Sequence, residues 1–179
     1  MTTTNSPSSK SKASSSTTAA ASSPSPPTAE KGVVDNALHA LGFEYTLISP
    51  EKVIGRLTVT LTCCQPFKVL NGGVSALIAE STASLGGYVA SGYRRVFGVQ
   101  LSTNHIKPAM LGEQVEAEAT PVRVGRTIQV WEVQIRKIDP STSSSKVLLS
   151  TSRVVLLSNM EAPKEMKEYE EKIKKYARL

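Results

Sequence analysis

From Gly72 to Val89 the apolar residues Val74, Leu77, Ile78, Leu85 and Val89 recur at helical spacing, with Ala and Ser filling the intervals. This pattern predicts one helix of roughly 18 residues, about 27 Å long, whose small side chains allow a neighbouring layer to approach closely. Around it the sequence reads as extended chain. Arg56-Leu57-Thr58-Val59-Thr60-Leu61-Thr62 alternates polar and apolar with period two, as a half-exposed strand does. After the helix come Arg95–Lys107, Gln114–Val124, Thr127–Ile138 and Lys146–Leu157, rich in Val, Ile, Leu or Thr and separated by Pro108, Gly112, Gly125 and Asp139-Pro140-Ser141. Short connections favour antiparallel neighbours. The order is thus one strand, one long helix, then four strands. It predicts an α+β fold in which a five- or six-stranded antiparallel sheet and the helix bury each other's apolar faces in two layers.

The remaining segments are simpler. Residues 1–30 hold ten Ser, six Thr and four Pro with one acid, Glu30, and no large apolar residue after Met1, so they are expected to form a disordered tail. A plastid transit peptide is the alternative, since it too is Ser-rich and acid-poor, although the Arg enrichment is missing. Residues 31–160 form the folded domain in this reading. A short amphipathic helix is expected from Val33 to Leu41, stopped at Gly42, and a charged surface helix from Lys164 to Tyr176 in the C-terminal segment 161–179. The net charge of +6 suits anionic partners. Basic residues are not interleaved with aromatics, which argues against nucleic acid, and no apolar run reaches the ~20 residues of a membrane span. Cys63 and Cys64 are adjacent and would face opposite ways in a strand, so they build neither a disulfide framework nor a zinc site, and a reducing compartment is expected. His39 and His105 are isolated and read as ordinary surface or packed residues; no metal or cofactor is expected.

The stretch most informative about chemistry runs from Gln65 to Ser84. Gly72-Gly73 opening the helix exposes backbone N–H groups to a carbonyl oxygen that gains negative charge. Glu80 is an acid two turns further on, flanked by Leu77, Ile78, Ala79 and Ala83, where an unpaired carboxylate is costly. A solvent-facing or ion-paired Glu is the plain alternative. Ser84 lies four residues beyond and shares the face of Glu80, so its hydroxyl can orient the carboxylate or a water beside it.

With Gln65, Gly72 seven residues on and Glu80 eight further, residues 35–158 resemble the hotdog-fold acyl-CoA thioesterases. The nearest branch acts on aromatic acyl-CoAs such as 1,4-dihydroxy-2-naphthoyl-CoA and 4-hydroxybenzoyl-CoA. The resemblance implies a sheet wrapped around the helix and hydrolysis of an acyl-CoA thioester. Gln65 and the Gly72 N–H would polarise the carbonyl, Glu80 would be nucleophile or general base, and Ser84 would hold water. Many relatives carry His where this chain has Asn71, which donates hydrogen bonds but cannot supply an acid. Asn104-His105-Ile106-Lys107-Pro108 and Gly125-Arg126-Thr127 resemble the segments that meet coenzyme A, so Lys107, Arg126, Gly125 and Thr127, with Ser102 as a weaker candidate, are expected at its pantetheine and phosphate end.

Geometry adds a constraint. Gly72 and Glu80 differ by ~12 Å in height along one helix, whereas an oxyanion donor and a nucleophile both sit about 3 Å from the reacting group. The site is therefore expected to be shared between chains of a homodimer or a dimer of dimers. Two other functions fit the same pocket: a broad peroxisomal acyl-CoA thioesterase, and a non-catalytic acyl-CoA-binding protein. The chain ends Ala177-Arg178-Leu179, a variant of the Ser-Lys-Leu peroxisomal address, which predicts an import receptor as partner and the peroxisome as location, ahead of the plastid.

Overall fold

The computed structural model describes residues 1–2, 34–139 and 147–177. The expected tail, apart from its first two residues, the turn residues Pro140-Ser141, and Arg178 and Leu179 lie outside the described residues.

In chain order the elements are α1 (Asn36–Ala40), β1 (Glu44–Ile48), β2 (Val53–Thr58), α2 (Gly72–Ala90), β3 (Arg95–His105), β4 (Gln114–Val124), β5 (Ile128–Ile138), β6 (Val147–Met160) and α3 (Lys167–Tyr176). The strands form one antiparallel sheet in the order β1-β2-β4-β5-β6-β3. The long helix stands where its periodicity puts it, and the four strands after it stand where their composition and the intervening turn-formers put them, to within three residues at each end. The strand expected at Arg56–Thr62 starts three residues earlier and ends at Thr58. Beyond it the Val59 N–H bonds Glu113 O at 2.8 Å and the chain winds into a 3-10 turn at Leu61–Cys63. Cys63 is therefore buried in a turn rather than in a strand, and it and Cys64 are both free thiols. The sixth strand, β1, is only five residues, too short for its alternation to stand out, and is held by pairing Glu44–Ile48 against β2. The helix expected at Val33–Leu41 is shorter, because Asp35 caps it: its Oδ1 accepts the Leu38 N–H at 2.9 Å.

α2 crosses the inner face of the sheet. Ile78, Ala79 and Ala83 meet Val115, Ala117 and Ala119 of β4, Trp131, Val133 and Ile135 of β5, and Val154 and Leu156 of β6 in one core. The contact is close because α2 presents Gly86 and Gly87 to the largest core side chains: a Cβ at Gly86 would lie 2.6 Å from the Trp131 ring, and one at Gly87 would strike Leu156. The Trp131 indole donates to Gln129 Oε1 at 2.9 Å and Gln129 Nε2 donates to Gly87 O at 3.2 Å, so the buried polar groups at this crossing are paired.

The C-terminal segment departs from a plain charged surface helix. Charges do line one side of α3, but Ile173 is completely buried, and Tyr169 Oη donates to Val34 O at 3.1 Å. The helix ends in a parallel bridge from Ala177 to Ile48. α3 is thus docked on the domain.

Gly86→Ala tests the close approach. Alanine favours a helix over glycine by about 1 kcal/mol, while overpacking a filled core costs ~1–3 kcal/mol. With the Trp131 ring fixed by its own hydrogen bond, overpacking wins. Urea unfolding should show a net loss of up to about 2 kcal/mol; a more stable variant would mean that the ring moves freely.

Candidate active site

Gln65 sits in a tight loop in which its N–H bonds Val69 O at 2.9 Å and its carbonyl accepts the Lys68 N–H at 2.9 Å, with Lys68 in the left-handed region at φ 59°. The Leu70 N–H donates to Ala109 O at 2.8 Å, so this loop is tied to the segment that leaves β3. Asn71 then caps α2. Its Oδ1 accepts the Gly73 N–H at 2.8 Å and its carbonyl accepts the Ser75 N–H at 3.1 Å. The Gly72 N–H is left with no acceptor among the described residues, as a first-turn donor is. Asn71 therefore spends its oxygen on the cap, and only its NH₂ group remains to meet a ligand.

Gln65, Gly72, Ser75, His105 and Lys107 line a cavity of about 460 Å³ at this end of α2. His105 is the residue that sequence reasoning passed over. Its Nε2 would lie 3.1 Å from a Cβ at position 72, so the imidazole covers the helix start. The signal was present in the alternation of β3: Leu101 and Thr103 are half-buried toward α2, and His105 continues that row. Ser102 falls on the opposite face, paired in register with Arg153, and lines neither this cavity nor the next.

Glu80 and Ser84 line a second cavity, of about 630 Å³, with Tyr45, Tyr88, Phe97 and Tyr169. The apolar setting expected for Glu80 is only half right: its side chain is exposed in the single chain, because β3 beside it is the edge of the sheet. A Cβ at Gly98 would fall on the Glu80 carboxylate, which lies flat against that strand. Arg95 lines the same cavity and stacks its guanidinium 4.3 Å above the Phe97 ring. Burial pushes the hydroxyls of Tyr88 and Tyr169 up to about 12, with the charge of Glu170 adding at the former and that of Asp35 at the latter. Tyr45 is raised further, by burial and then by Asp35. All three remain neutral hydroxyls across the physiological range.

Gln65 and Gly72 thus share one cavity and Glu80 and Ser84 another, and one chain does not bring the two pairs together. Gly125, Arg126 and Thr127 form the β4–β5 turn, where Ser158 bonds Arg126 O at 3.2 Å and Thr127 O at 2.7 Å, and they line neither cavity. Because Ile128 pairs with Leu157 and Leu157 with Phe97, this turn stands at the first end of β3, whereas Lys107 follows its last. The two expected phosphate contacts are at opposite ends of the domain.

Known proteins resolve what such a domain is. Residues 67–144 match the thioesterase superfamily. The chain is 49% identical over 150 residues to 1,4-dihydroxy-2-naphthoyl-CoA thioesterase 2 of Arabidopsis thaliana, covering 83% of this chain and 96% of that one. It is 33% identical over 117 residues to the 1,4-dihydroxy-2-naphthoyl-CoA hydrolase of Listeria monocytogenes, 65% of this chain and 89% of the other. A crystal structure of a Haemophilus influenzae thioesterase matches with a TM-score of 0.62 at 33% identity, over 72% of this chain and 85% of that one. The chain belongs to the thioesterase superfamily, and the sheet wrapped on α2 is its hotdog fold. It is accordingly an acyl-CoA thioesterase.

The cap can be tested by itself. Asn71→Ala should lower stability by about 1 kcal/mol, whereas Asn71→Asp, which keeps an acceptor for the Gly73 N–H, should lose little. Equal losses in thermal unfolding would show that the side chain does not hold the helix start.

Proposed function

We propose that the chain hydrolyses an aromatic acyl-CoA, 1,4-dihydroxy-2-naphthoyl-CoA, to the free acid and coenzyme A, in sites each built from two copies of the chain. The high identity to the Arabidopsis protein over nearly its whole length supports the substrate. The observation that carries the arrangement is the edge strand. β3 is eleven residues long, is paired among the described residues only to β6, and exposes Val99 to 59% and Phe97 to 38%. An open apolar edge of this length is a template for another strand. Gly98 marks the Glu80 end of β3 and His105 the Gly72 end. If two copies of β3 pair antiparallel, Gly98 of one comes beside His105 of the other, and the Gly72 N–H meets a Glu80 from the partner. The same pairing brings Lys107 of one copy near Arg126 of the other, so that both can face the phosphates of a single coenzyme A.

In such a site the thioester carbonyl accepts hydrogen bonds from the Gly72 N–H and the Gln65 amide, which strengthen as its oxygen becomes an oxyanion. Acting as general base, Glu80 takes a proton from a water held by Ser84, the resulting hydroxide adds to the carbonyl carbon, and the C–S bond breaks. The departing thiolate takes back the proton from Glu80. Acting as nucleophile, the carboxylate instead forms a mixed anhydride with release of the thiolate, and water then cleaves the anhydride. Either route needs the Glu80 carboxylate and the Gly72 N–H on one carbonyl.

Subunit complementation tests the shared site. Gly72 is the first helical residue and Asn71 before it is extended at ψ 132°, so Gly72→Pro removes the donor without breaking the helix. Glu80→Ala removes the acid. Each variant alone should be inactive, and an equal mixture after subunit exchange should recover roughly a quarter of wild-type activity, since half the dimers are hybrids with one intact site of two. No recovery despite demonstrated exchange, or full turnover by a monomer, would refute the arrangement.

The location proposed is the peroxisome, through Ala177-Arg178-Leu179, with the homo-oligomer imported by its tripeptide receptor. Deleting the tripeptide should move a protein fluorescently tagged at its N-terminus from peroxisomes to cytosol and leave hydrolysis unchanged. Plastid fluorescence from an internally tagged full-length chain and its tail-deleted form alike would favour the Ser-rich head as the address.

A further inference from the structure

The cavity beside Glu80 runs along α2 in the direction of its C-terminus. Ser84 is one turn beyond Glu80 and Tyr88 two, an α-carbon separation of ~12 Å, and the tyrosine side chain leans back toward the helix start. What closes this far end comes from the C-terminal segment. Met166 and Tyr169 line the cavity, and the Tyr169 ring lies 5.8 Å from that of Tyr88 at 46°. Both residues are half-buried, and both lie outside residues 67–144, the stretch that matches the superfamily.

This wall is held in place by ties that owe nothing to a ligand. Tyr169 Oη donates to Val34 O at 3.1 Å, Ile173 one turn later is completely buried, and the Lys174 ammonium sits 4.9 Å over the Tyr93 ring. A side chain anchored on both flanks does not swing aside for a longer guest. Four aromatic side chains stand in the lining: Tyr45, Tyr88, Phe97 and Tyr169 offer ring faces and edges to a flat apolar group.

We propose that the C-terminal segment, through Met166 and Tyr169, is the end wall of the acyl cavity and sets specificity by length, admitting a planar group of two fused rings and excluding acyl groups that extend further. The inference rests on the thioesterase reading and adds the residues that limit its substrate. The Met166 N–H is held by Pro163 O at 2.9 Å, but its unbranched thioether side chain is the adaptable part of the wall, so its volume is the variable to change.

The experiment compares kcat/KM of the full chain for benzoyl-CoA, 2-naphthoyl-CoA and biphenyl-4-carbonyl-CoA, with thermal unfolding as the check on folding. Met166→Trp should lower the naphthoyl-to-benzoyl ratio about tenfold or more, because the bulk reaches only the longer group. Met166→Ala should raise the biphenyl-to-naphthoyl ratio by a similar factor, and this second variant decides the matter if the first does not fold. Folded variants that keep both wild-type ratios would overturn the wall while leaving the thioesterase reading intact. A wild-type chain that releases thiol from none of these or from 1,4-dihydroxy-2-naphthoyl-CoA would instead overturn the underlying reading.

Discussion

The structure depends on how closely α2 approaches the sheet. Two adjacent glycines, Gly86 and Gly87, let Trp131 and Leu156 into the space that side chains would fill, and Gln129 links the indole to the helix carbonyl at Gly87. The crossing fixes the axial position and rotation of a 19-residue helix at one point near its end. Everything chemical on α2 is then placed by helical geometry: Gly72 at its start over His105, Glu80 against Gly98, Ser84 and Tyr88 along one wall. A shift of one residue in that contact would turn Glu80 by about 100° and remove it from the β3 edge.

The same rigidity explains why the single chain looks incomplete. A straight helix cannot fold back to bring its own N-terminal N–H to an acid two turns later. Among the described residues the fold leaves a donor with no acceptor, an exposed carboxylate and an unpaired strand edge on one side of the domain. The apolar edge is the unfavourable one, because it invites association, while water can meet the donor and the carboxylate in the single chain. Pairing of two copies through β3 would cover the edge and bring the donor and the carboxylate together, which is why the proposed site and the proposed assembly are one hypothesis.

How much of this was legible in the sequence follows from which interactions are local. α2 was readable because its 3.6-residue period runs for most of its length, the four strands after it because each is a Val-, Ile-, Leu- or Thr-rich stretch of ten residues or more between turn-formers, and β4 has the expected bounds of Gln114 and Val124. β1 was not read: Glu44–Ile48 alternates, but five residues are too few for the pattern to stand out, and the pairing with β2 is what makes them a strand. α3 was readable as a helix but not as a docked one, since one Ile among charges carries its burial. In the site, Gln65, Gly72, Glu80 and Ser84 were found from spacing and resemblance, and the structure seats them two by two in separate cavities. His105 was missed although its strand alternation pointed inward. Tyr45, Tyr88 and Tyr169 were missed because three segments far apart in sequence converge there.

The C-terminal segment carries two proposed duties with different mechanical demands. As a wall it must stay fixed; as an address its last residues must come free for a receptor. The anchors differ enough in strength to allow both. Full burial of Ile173 contributes roughly 1.5–3 kcal/mol, and the Tyr169 hydroxyl bond about another 1. Ala177 is held by its bridge to Ile48 and by its own N–H on Ile173 O, about 1 kcal/mol each. Releasing Ala177 therefore costs less than lifting α3, which needs these bonds and the anchors of Tyr169 and Ile173 broken together. Because the Ala177 N–H still closes on Ile173 O at 2.8 Å at the last helical turn, release can begin beyond the residue that anchors the wall. A receptor that engages the terminus would leave the acyl cavity as it is.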